Sequence, residues 1–385
     1  MRKYALCWFG LVVTMLVALG LIVLSTASEA NALRLHGDSY FFMKRQFAYL
    51  GAGILLAVGV AMFDYHKWRD NPALAWFAFV VVLALLGAVF GFKAINGSHR
   101  WISLGPLRLQ PSEFAKLLTV IVLSMWLDRA SWHVELFTRG ALLPALIIGI
   151  IALPILLEPD FGSVMVVGLV GFLMMFVAGV RILHIVPFLA VGVGVVALKV
   201  ITNANRMARI AAFLGIKLNV GAEVVDEAAK RAAYQAEQAL AAIGNGGIWG
   251  VGLGESMQKH AYLPEAHTDF VFAIGAEEFG VFFSIAVILL FTAFFALAVY
   301  IAKKASDRFG RFLVIGMGFI IFFQAMFNLG VVCKALPTKG MALPFFSYGG
   351  TNLLSAFFAV GTIFSVGIHS YREKKRAFLR KVVMR

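Results

Sequence analysis

Charged residues are scarce in this sequence. Of its 385 residues only 14% are charged and 61% are hydrophobic, and the mean hydropathy is +0.88. This composition excludes a soluble protein of the same length, because a water-facing surface requires more charge. The excess of 34 Lys and Arg over 20 Asp and Glu then indicates orientation in a membrane and contact with anionic lipid, and not a nucleic-acid partner.

Cysteine pairs and metal-ligand patterns are also lacking. Cys7 and Cys333 fall in different apolar runs, so we expect no disulfide. No His/Cys spacing typical of a metal site occurs, which leaves the metal requirement unknown. The stretch 244–254 has six glycines but neither G-x-G-x-x-G nor a P-loop lysine, so a nucleotide site is not indicated. A hinge, or a backbone that approaches a ligand closely, fits this stretch better.

Long apolar runs, in contrast, are abundant. Ten runs have roughly the length that crosses a bilayer as a helix, about 17–25 residues. They lie at about 5–25, 46–63, 74–92, 113–128, 138–157, 163–180, 182–200, 269–300, 311–333 and 347–369. The first could be a signal peptide, since Ala30-Asn31-Ala32 resembles a cleavage site. However, Tyr4 to Ser28 is uncharged and longer than a signal-peptide core of about 7–15 residues. The sequence predicts an all-α integral membrane protein with about ten transmembrane helices.

Lys and Arg positions predict the orientation. The segments that would be cytoplasmic carry 18 Lys and Arg, and the short outer loops carry 8, which places both termini in the cytoplasm. The chain is then a single polytopic membrane domain over 1–385. It has one large extracytoplasmic loop at 202–268 and a basic cytoplasmic tail at 370–385. Within the large loop an Ala-rich stretch at 222–242 predicts a helix.

Four polar features fall on the outer side of this topology. They are the loop 96–116, the turn 158–163, the large loop 202–268 and the segment 334–350. Charged residues lie at or inside the neighbouring span ends: Glu113, Lys116, Asp160, Asp269, Glu277 and Glu278. Because charge at membrane depth is expensive, such residues usually face a protein interior or a wet cavity and mark a functional site.

The same residues also have structural interpretations. Pro111 and Ser112 resemble a helix start, with Glu113 in its first turn and Lys116 placed three residues on to pair with it. Asp269 lies where the large loop re-enters the membrane and could cap the helix that follows. A helix dipole there would keep Asp269 ionised, whereas burial would raise its pKa, and the sequence leaves this balance open.

Four segments together resemble the SEDS family (shape, elongation, division and sporulation), which are integral-membrane peptidoglycan glycosyltransferases. They read NGSHRWISLGPLRLQPSEFAK at 96–116, EPDFGS at 158–163, YQAEQALAAIGNGGIWGVGLGESMQKHAYLPEAHTDFVFAIGAEE at 234–278 and LPTKGMALPFFSYGGTN at 336–352. The resemblance covers nearly the whole chain, and the wording before Asp269 is closer to the cell-division branch than to the elongation branch. Two departures are Glu158, where many members have Gln, and Lys334, where a small residue is commoner.

The resemblance implies a reaction. Members polymerise lipid II, a disaccharide-pentapeptide on undecaprenyl diphosphate, at the outer face of the bacterial cytoplasmic (inner) membrane; the division branch does so at the septum. The anomeric carbon of one unit joins the 4-hydroxyl of another with inversion, so one carboxylate can serve as general base. No paired acid is needed, unlike in a glycosidase, because diphosphate leaves without protonation. Positive charge must stabilise the diphosphate as it develops.

By this resemblance Asp269 is the catalytic base. The residues expected to bind or orient substrate are the basic Arg100, Lys116, Arg206 and Lys259, together with Glu113, Asp160, Gln258 and His267. No organic cofactor is expected, and a divalent cation, Mg²⁺ or Mn²⁺, is an alternative source of positive charge. The implied partners are lipid II and the nascent glycan strand, a class B penicillin-binding transpeptidase, other divisome membrane proteins and membrane lipids.

Two other functions stay open at this point. A lipid II flippase would suit ten spans with intramembrane charges, but its polar residues should continue across the bilayer from both sides. Here they concentrate at the outer ends. A non-catalytic scaffold that only recruits the transpeptidase would tolerate substitution of Asp269.

Overall fold

The computed structural model describes residues 2–93, 99–105, 107–214, 223–259, 263–337 and 340–383, and these are almost entirely helical. The helices are α1 (Arg2–His36), α2 (Phe41–Met62), α3 (His66–Asp70), α4 (Pro72–Ala88), α5 (Pro111–Arg129), α6 (Leu143–Leu157), α7 (Phe161–Ala178), α8 (Ile182–Ile201), α9 (Ala204–Leu214), α10 (Glu223–Gly246), α11 (Val271–Lys303), α12 (Arg308–Val332) and α13 (Gly350–Val383). Two short antiparallel strands, β1 (Ile102–Leu104) and β2 (Leu107–Leu109), precede α5. A π-helical turn, Phe137–Leu142, leads into α6.

The predicted spans are present in the predicted order. Among the described residues, nine helices are long and apolar enough to cross a membrane: α1, α2, α4, α6 with its π-helical turn, α7, α8, α11, α12 and α13. The remaining predicted run, 113–128, is α5, which has 19 residues but carries four charges. The all-α, multi-pass fold class is therefore confirmed. The basic tail continues α13 as far as Val383, and its last two residues lie outside the described ranges.

Helix α5 lies inside the bundle. It is buried along nearly its whole length and packs against α4, α6, α7, α12 and α13. Close approach to α12 depends on Gly316, because a methyl group added there would lie 2.5 Å from a methyl carbon of Val120. Because its neighbours cover it on all sides, α5 does not need the apolar surface of a lipid-facing span.

The large loop contains two helices in its described part, α9 and α10, and residues 215–222 lie outside the description. The predicted helix at 222–242 is confirmed as α10, which packs on α9 and α11. Its buried alanines, Ala232, Ala236, Ala239 and Ala242, recur at three- and four-residue spacing and so share one face.

The glycine-rich stretch pairs with a break in a membrane helix. Helix α11 is interrupted at Gly280, which has φ 73° and ψ −161°. The backbone of 244–254 lies against this break, and the amide of Gly252 donates to the carbonyl of Glu278 at 3.1 Å. The close backbone approach predicted for this stretch is therefore to the protein's own chain.

A polar cluster joins helices at the predicted cytoplasmic end. Asp307 caps α12 by accepting a hydrogen bond from the Gly310 amide at 2.6 Å, and it also accepts one from the Tyr65 hydroxyl at 2.8 Å. His66 Nε2 lies 2.8 Å from Asp307, and His66 Nδ1 lies 2.7 Å from Asp64. The corner between α2 and α3 is thereby tied to the start of α12.

Candidate active site

Asp269 lies two residues before α11, at the end of a series of turns. Its amide donates to the carbonyl of Glu265 at 3.1 Å. Its own carbonyl accepts a hydrogen bond from Asn328 Nδ2 at 2.7 Å, and the same amide group donates to Met341 at 2.7 Å. Asn328, on α12, therefore holds together the two segments that surround the carboxylate.

The Asp269 side chain faces a tight backbone turn. A methyl group added at Gly340 would lie 2.5 Å from Asp269 Oδ2, so only glycine leaves room for the carboxylate at this position. The side chain is half-buried. No described residue donates a hydrogen bond to its oxygens, which leaves them available to a substrate hydroxyl.

Burial decides the charge state of Asp269. It raises the pKa of this carboxyl to about 7, Glu265 adds to the effect, and Arg100 and Arg209 oppose it. Helix α11 begins at Val271 with Phe270 as its N-cap, so Asp269 precedes the helical turn in which a dipole acts most strongly. A carboxylate whose pKa lies near neutral pH is well suited to accept a proton in catalysis.

Two arginines act on this carboxylate, and a third lies near them. Arg100 and Arg209 both act electrostatically on Asp269. Burial lowers the pKa of Arg206, and repulsion from Arg100 and Arg209 lowers it further, so the three guanidinium groups lie near one another. Arg100 and Arg206 were predicted from the sequence to bind substrate, whereas Arg209 was not. Its spacing of one helical turn from Arg206 on α9 was the available signal.

These arginines are held by neutral groups. Arg100 donates to the carbonyl oxygens of Pro159 at 2.5 Å and Glu158 at 3.4 Å. Arg206 donates to the Lys199 carbonyl at 2.8 Å, and its guanidinium lies 4.1 Å from the ring centroid of Phe161. Neither forms an ion pair with a carboxylate in the described part of the chain. Their charge is therefore available to an anionic ligand.

Asp160 and Glu113 organise the helix starts beside the arginines. Asp160 caps α7 through the amide of Ser163 and accepts hydrogen bonds from the side chains of Gln110 and Ser112. Buried Glu113 pairs with buried Lys116 at 2.7 Å and accepts a hydrogen bond from Ser355 at 2.9 Å. The structural interpretation of the Glu113–Lys116 pair is thus correct in geometry, and these contacts join α5, α7 and α13.

His267 lies two residues before Asp269 and packs into the protein. Its ring stacks on Phe42 with centroids 4.7 Å apart, and its carbonyl accepts a hydrogen bond from the amide of Tyr348 at 2.9 Å. Burial lowers the pKa of this imidazole. His267 is therefore a neutral group that fixes the backbone leading to Asp269.

Gln258 and Lys259 belong to a different cluster. The backbone N–H of Gln258 donates to the Glu277 carboxylate at 3.4 Å. Lys259 Nζ donates to the Gly254 carbonyl at 2.5 Å and lies 3.8 Å from the Glu29 carboxylate. Asp269 has Glu265, Arg100 and Arg209 as its charged neighbours instead. The structure thus places Arg100 and Arg209, but not Lys259, among the charged neighbours of Asp269. Arg206 lies near these two arginines.

Within the described ranges, no group of three or more His, Cys, Asp or Glu side chains could hold a metal ion. Parts of the segments that resemble the family, residues 96–98, 106, 260–262 and 338–339, lie outside these ranges.

The chain is similar to known proteins over almost its whole length. Residues 6–372 match the family model of the cell cycle proteins FtsW, RodA and SpoVE. The probable peptidoglycan glycosyltransferase FtsW of Saccharophagus degradans is 37% identical over 369 residues, which is 94% of this chain and 92% of the relative. The protein of the same description from Escherichia coli O6:H1 is 35% identical over 369 residues, or 95% of this chain and 86% of the relative.

Solved structures show the same architecture. The rod shape determining protein RodA of Thermus thermophilus superimposes with a TM-score of 0.66 and 26% identity, covering 94% of this chain and 96% of that one. A chain from a peptidoglycan synthase complex, solved to explain how polymerization and crosslinking are coordinated, gives a TM-score of 0.70 and 25% identity. That match covers 94% of this chain and 97% of the other.

Proposed function

The chain belongs to the FtsW, RodA and SpoVE family of cell cycle proteins, and from this premise we propose that it is a peptidoglycan glycosyltransferase. Its substrate is lipid II, which it polymerises into glycan strands at the outer face of the cytoplasmic membrane during cell division. One observation carries the proposal: the Asp269 carboxylate lies near Arg100 and Arg209, and Arg100 is held by backbone carbonyls and not by a carboxylate. The names of the curated relatives support the same activity.

In the proposed reaction Asp269 accepts the proton of the acceptor 4-hydroxyl. The hydroxyl oxygen attacks the anomeric carbon of the donor, the bond from that carbon to the diphosphate oxygen breaks, and undecaprenyl diphosphate leaves with the electron pair. Attack opposite the leaving group inverts the anomeric configuration. Because diphosphate is a stable anion, the reaction requires positive charge at the leaving group and no second carboxylic acid.

Arg100, Arg206 and Arg209 are the groups proposed to stabilise that anion. Guanidinium groups bind phosphate oxygens through paired hydrogen bonds and stay charged at any working pH. Arg100 and Arg209 also favour the ionised form of Asp269. Departure of the diphosphate would therefore be coupled to the proton transfer through the same cations.

The proposed partner and cellular location of this chain rest on its similarity to the cell-division branch of the family. The described part of the large loop contains α9, α10 and the turns that follow them, and it provides no cross-linking domain. We therefore propose a class B penicillin-binding transpeptidase as partner, other divisome proteins as neighbours, and the septum as the site of action. The similarity to a chain of a synthase complex that coordinates polymerization and crosslinking supports such an assembly.

The first test is Asp269→Asn in a lipid II polymerisation assay with the co-purified partner. The amide keeps the shape of the carboxylate but cannot accept the proton, so glycan chains should fall by about 10²-fold or more. Thermal stability should not fall, because a partly buried charge is removed. Glu255→Gln is the matched control, since it removes an exposed carboxylate from the same outer segment and should polymerise normally.

Each result selects among the three functions. Polymer from both wild type and Asp269→Asn would make Asp269 structural and contradict the mechanism. Retained cell division with Asp269→Asn and no polymer from the wild type would support the scaffold. Lipid II transport across vesicle membranes without polymer would support the flippase.

A further inference from the structure

Glu158 is a carboxyl group with no visible role in the mechanism above. It lies in the turn between α6 and α7 and is 0% exposed. Neither of its carboxyl oxygens has a hydrogen-bond partner in the described chain. An ionised carboxylate is very costly in such a place, whereas a protonated one costs much less. The environment therefore favours the neutral acid.

Arg100 lies directly against this turn. Its guanidinium donates to the backbone carbonyls of Glu158 and Pro159 and not to the Glu158 carboxyl. Carbonyl dipoles orient a guanidinium but leave its net charge intact. Arg100 can therefore contribute a full positive charge to the group around Asp269, provided that the neighbouring carboxyl stays neutral.

Two charged groups face Glu158 within the described residues. Asp160, on the same turn, disfavours a second negative charge, whereas Arg100 favours one. Burial has the largest effect on the pKa of Glu158. Burial and Asp160 outweigh Arg100 and raise this pKa to about 8. The switch between neutral and charged forms thus falls close to physiological pH.

We propose that Glu158 controls the charge presented to the substrate diphosphate: as a neutral acid it leaves Arg100 free to bind the leaving group, and its ionisation cancels that charge. Glu158 is thus a positioning residue that acts through Arg100. The inference rests on the proposed function, since it assigns Arg100 to the diphosphate of lipid II.

A bell-shaped pH profile follows. Polymerisation rises as Asp269 loses its proton, around pH 7, because the base must be ionised. It falls again as Glu158 ionises, around pH 8, because the net positive charge at the diphosphate declines. The two limbs belong to different residues and can be separated by substitution.

The test is Glu158→Gln, which is isosteric and permanently neutral. Polymerisation from lipid II is measured between about pH 6 and pH 10 for both proteins. One unit above the alkaline midpoint the wild type should lose about tenfold in rate. Glu158→Gln should keep its rate there, with the acidic limb unchanged. An alkaline limb identical in both proteins would overturn the proposal.

A binding measurement separates this inference from the proposed activity. Undecaprenyl diphosphate binds without turnover, and its own ionisation affects both proteins equally. Its affinity should fall above about pH 8 for wild type and stay constant for Glu158→Gln, while Arg100→Gln should bind weakly at every pH. Equal loss of affinity in wild type and Glu158→Gln would overturn the role of Glu158 but leave the glycosyltransferase proposal intact. No binding by any of the proteins would contradict both.

Discussion

At the scale of single residues, the position of the Asp269 carboxylate depends on the absence of a side chain at Gly340 as well as on hydrogen bonds from Asn328. Gly340 supplies no side chain, and the carboxylate occupies the space that a Cβ would fill. Asn328 fixes the backbone on both sides of this contact. The Asp269 carboxylate is thus positioned by backbone and one buried amide, and no described residue donates a hydrogen bond to its oxygens.

Gly340→Ala should therefore disable catalysis while the protein stays folded. The added methyl group would displace the Asp269 carboxylate, and a displacement of about 1 Å can cost about 10²-fold in rate. The measurement is polymerisation rate together with thermal unfolding. Gly349→Ala is the control, because its methyl group would meet only Asn352 at an ordinary 3.7 Å. Equal polymerisation rates for the two variants would show that the contact between Gly340 and Asp269 does not affect catalysis.

Residues differ in how far the sequence reveals their roles. Asp269 could be singled out because a carboxylate at a membrane boundary is unusual, and its role as the base stays a prediction. Asn328 gave the same kind of signal, a polar side chain inside an apolar run, but it was not selected. Arg209 gave a weaker signal, its spacing of one helical turn from Arg206, in a polar loop where charge is ordinary. Lys259 does not lie at the site, because the glycine-rich stretch before it places its side chain near Glu29. The conformation of that stretch depends on contacts with distant parts of the chain, which the local sequence does not reveal.

At the scale of elements, the break in α11 at Gly280 is stabilised by a second segment of the chain. A helix broken inside a membrane protein leaves backbone groups without partners. Here the glycine-rich stretch supplies them, as in the bond from Gly252 to the Glu278 carbonyl. Such pairing requires two backbones in contact, which explains why this stretch contains so much glycine.

Gly280→Ala should destabilise the protein markedly. Its φ of 73° and ψ of −161° belong to a region that only glycine occupies readily, which costs about 1–3 kcal/mol for another residue. The added Cβ would also collide with the Ile248 carbonyl. Thermal unfolding in detergent measures the loss.

Gly192→Ala provides the comparison for that experiment. Gly192 lies in α8 with open space around it, so alanine there should be neutral or stabilise by up to about 1 kcal/mol. If Gly280→Ala were as stable as Gly192→Ala, the pairing would not stabilise the break.

Element lengths were predicted better than element contacts. The ten runs correspond to helices because every span must cross the same bilayer thickness, a constraint that hydropathy reports directly. That α10 buries its alanines against α9 and α11, and does not face water, depends on neighbours distant in the chain.

At the scale of the whole molecule, the bundle is tied at both ends. The polar group around Asp269 joins helices at the predicted outer end, and the cluster of His66 and Asp307 joins them at the opposite end. The hydrogen bond to Asp307 raises the pKa of His66 to about 9. Its stabilising contribution is fully present below the ordinary value of 6.5 and is lost as the pH rises through about 9.

His66→Gln should therefore flatten the alkaline part of the stability profile. The wild type should lose more stability than the variant between neutral pH and about pH 10, by roughly 1 kcal/mol, since the pair is partly accessible to water. Thermal unfolding across this range measures the difference. Parallel curves would show that His66 carries no charge in the folded protein at neutral pH.

Helix α5 has a consequence for how the protein is made. A segment with charges at both ends and little lipid-facing surface is a poor substrate for membrane insertion on its own. Its partners α12 and α13 are the last helices to be synthesised. We expect α5 to settle at full depth only when translation is nearly complete. A ribosome stalled before α12 would then leave α5 accessible from water. In a truncated chain, quality-control proteases could reach this helix, which is deeply buried in the finished protein.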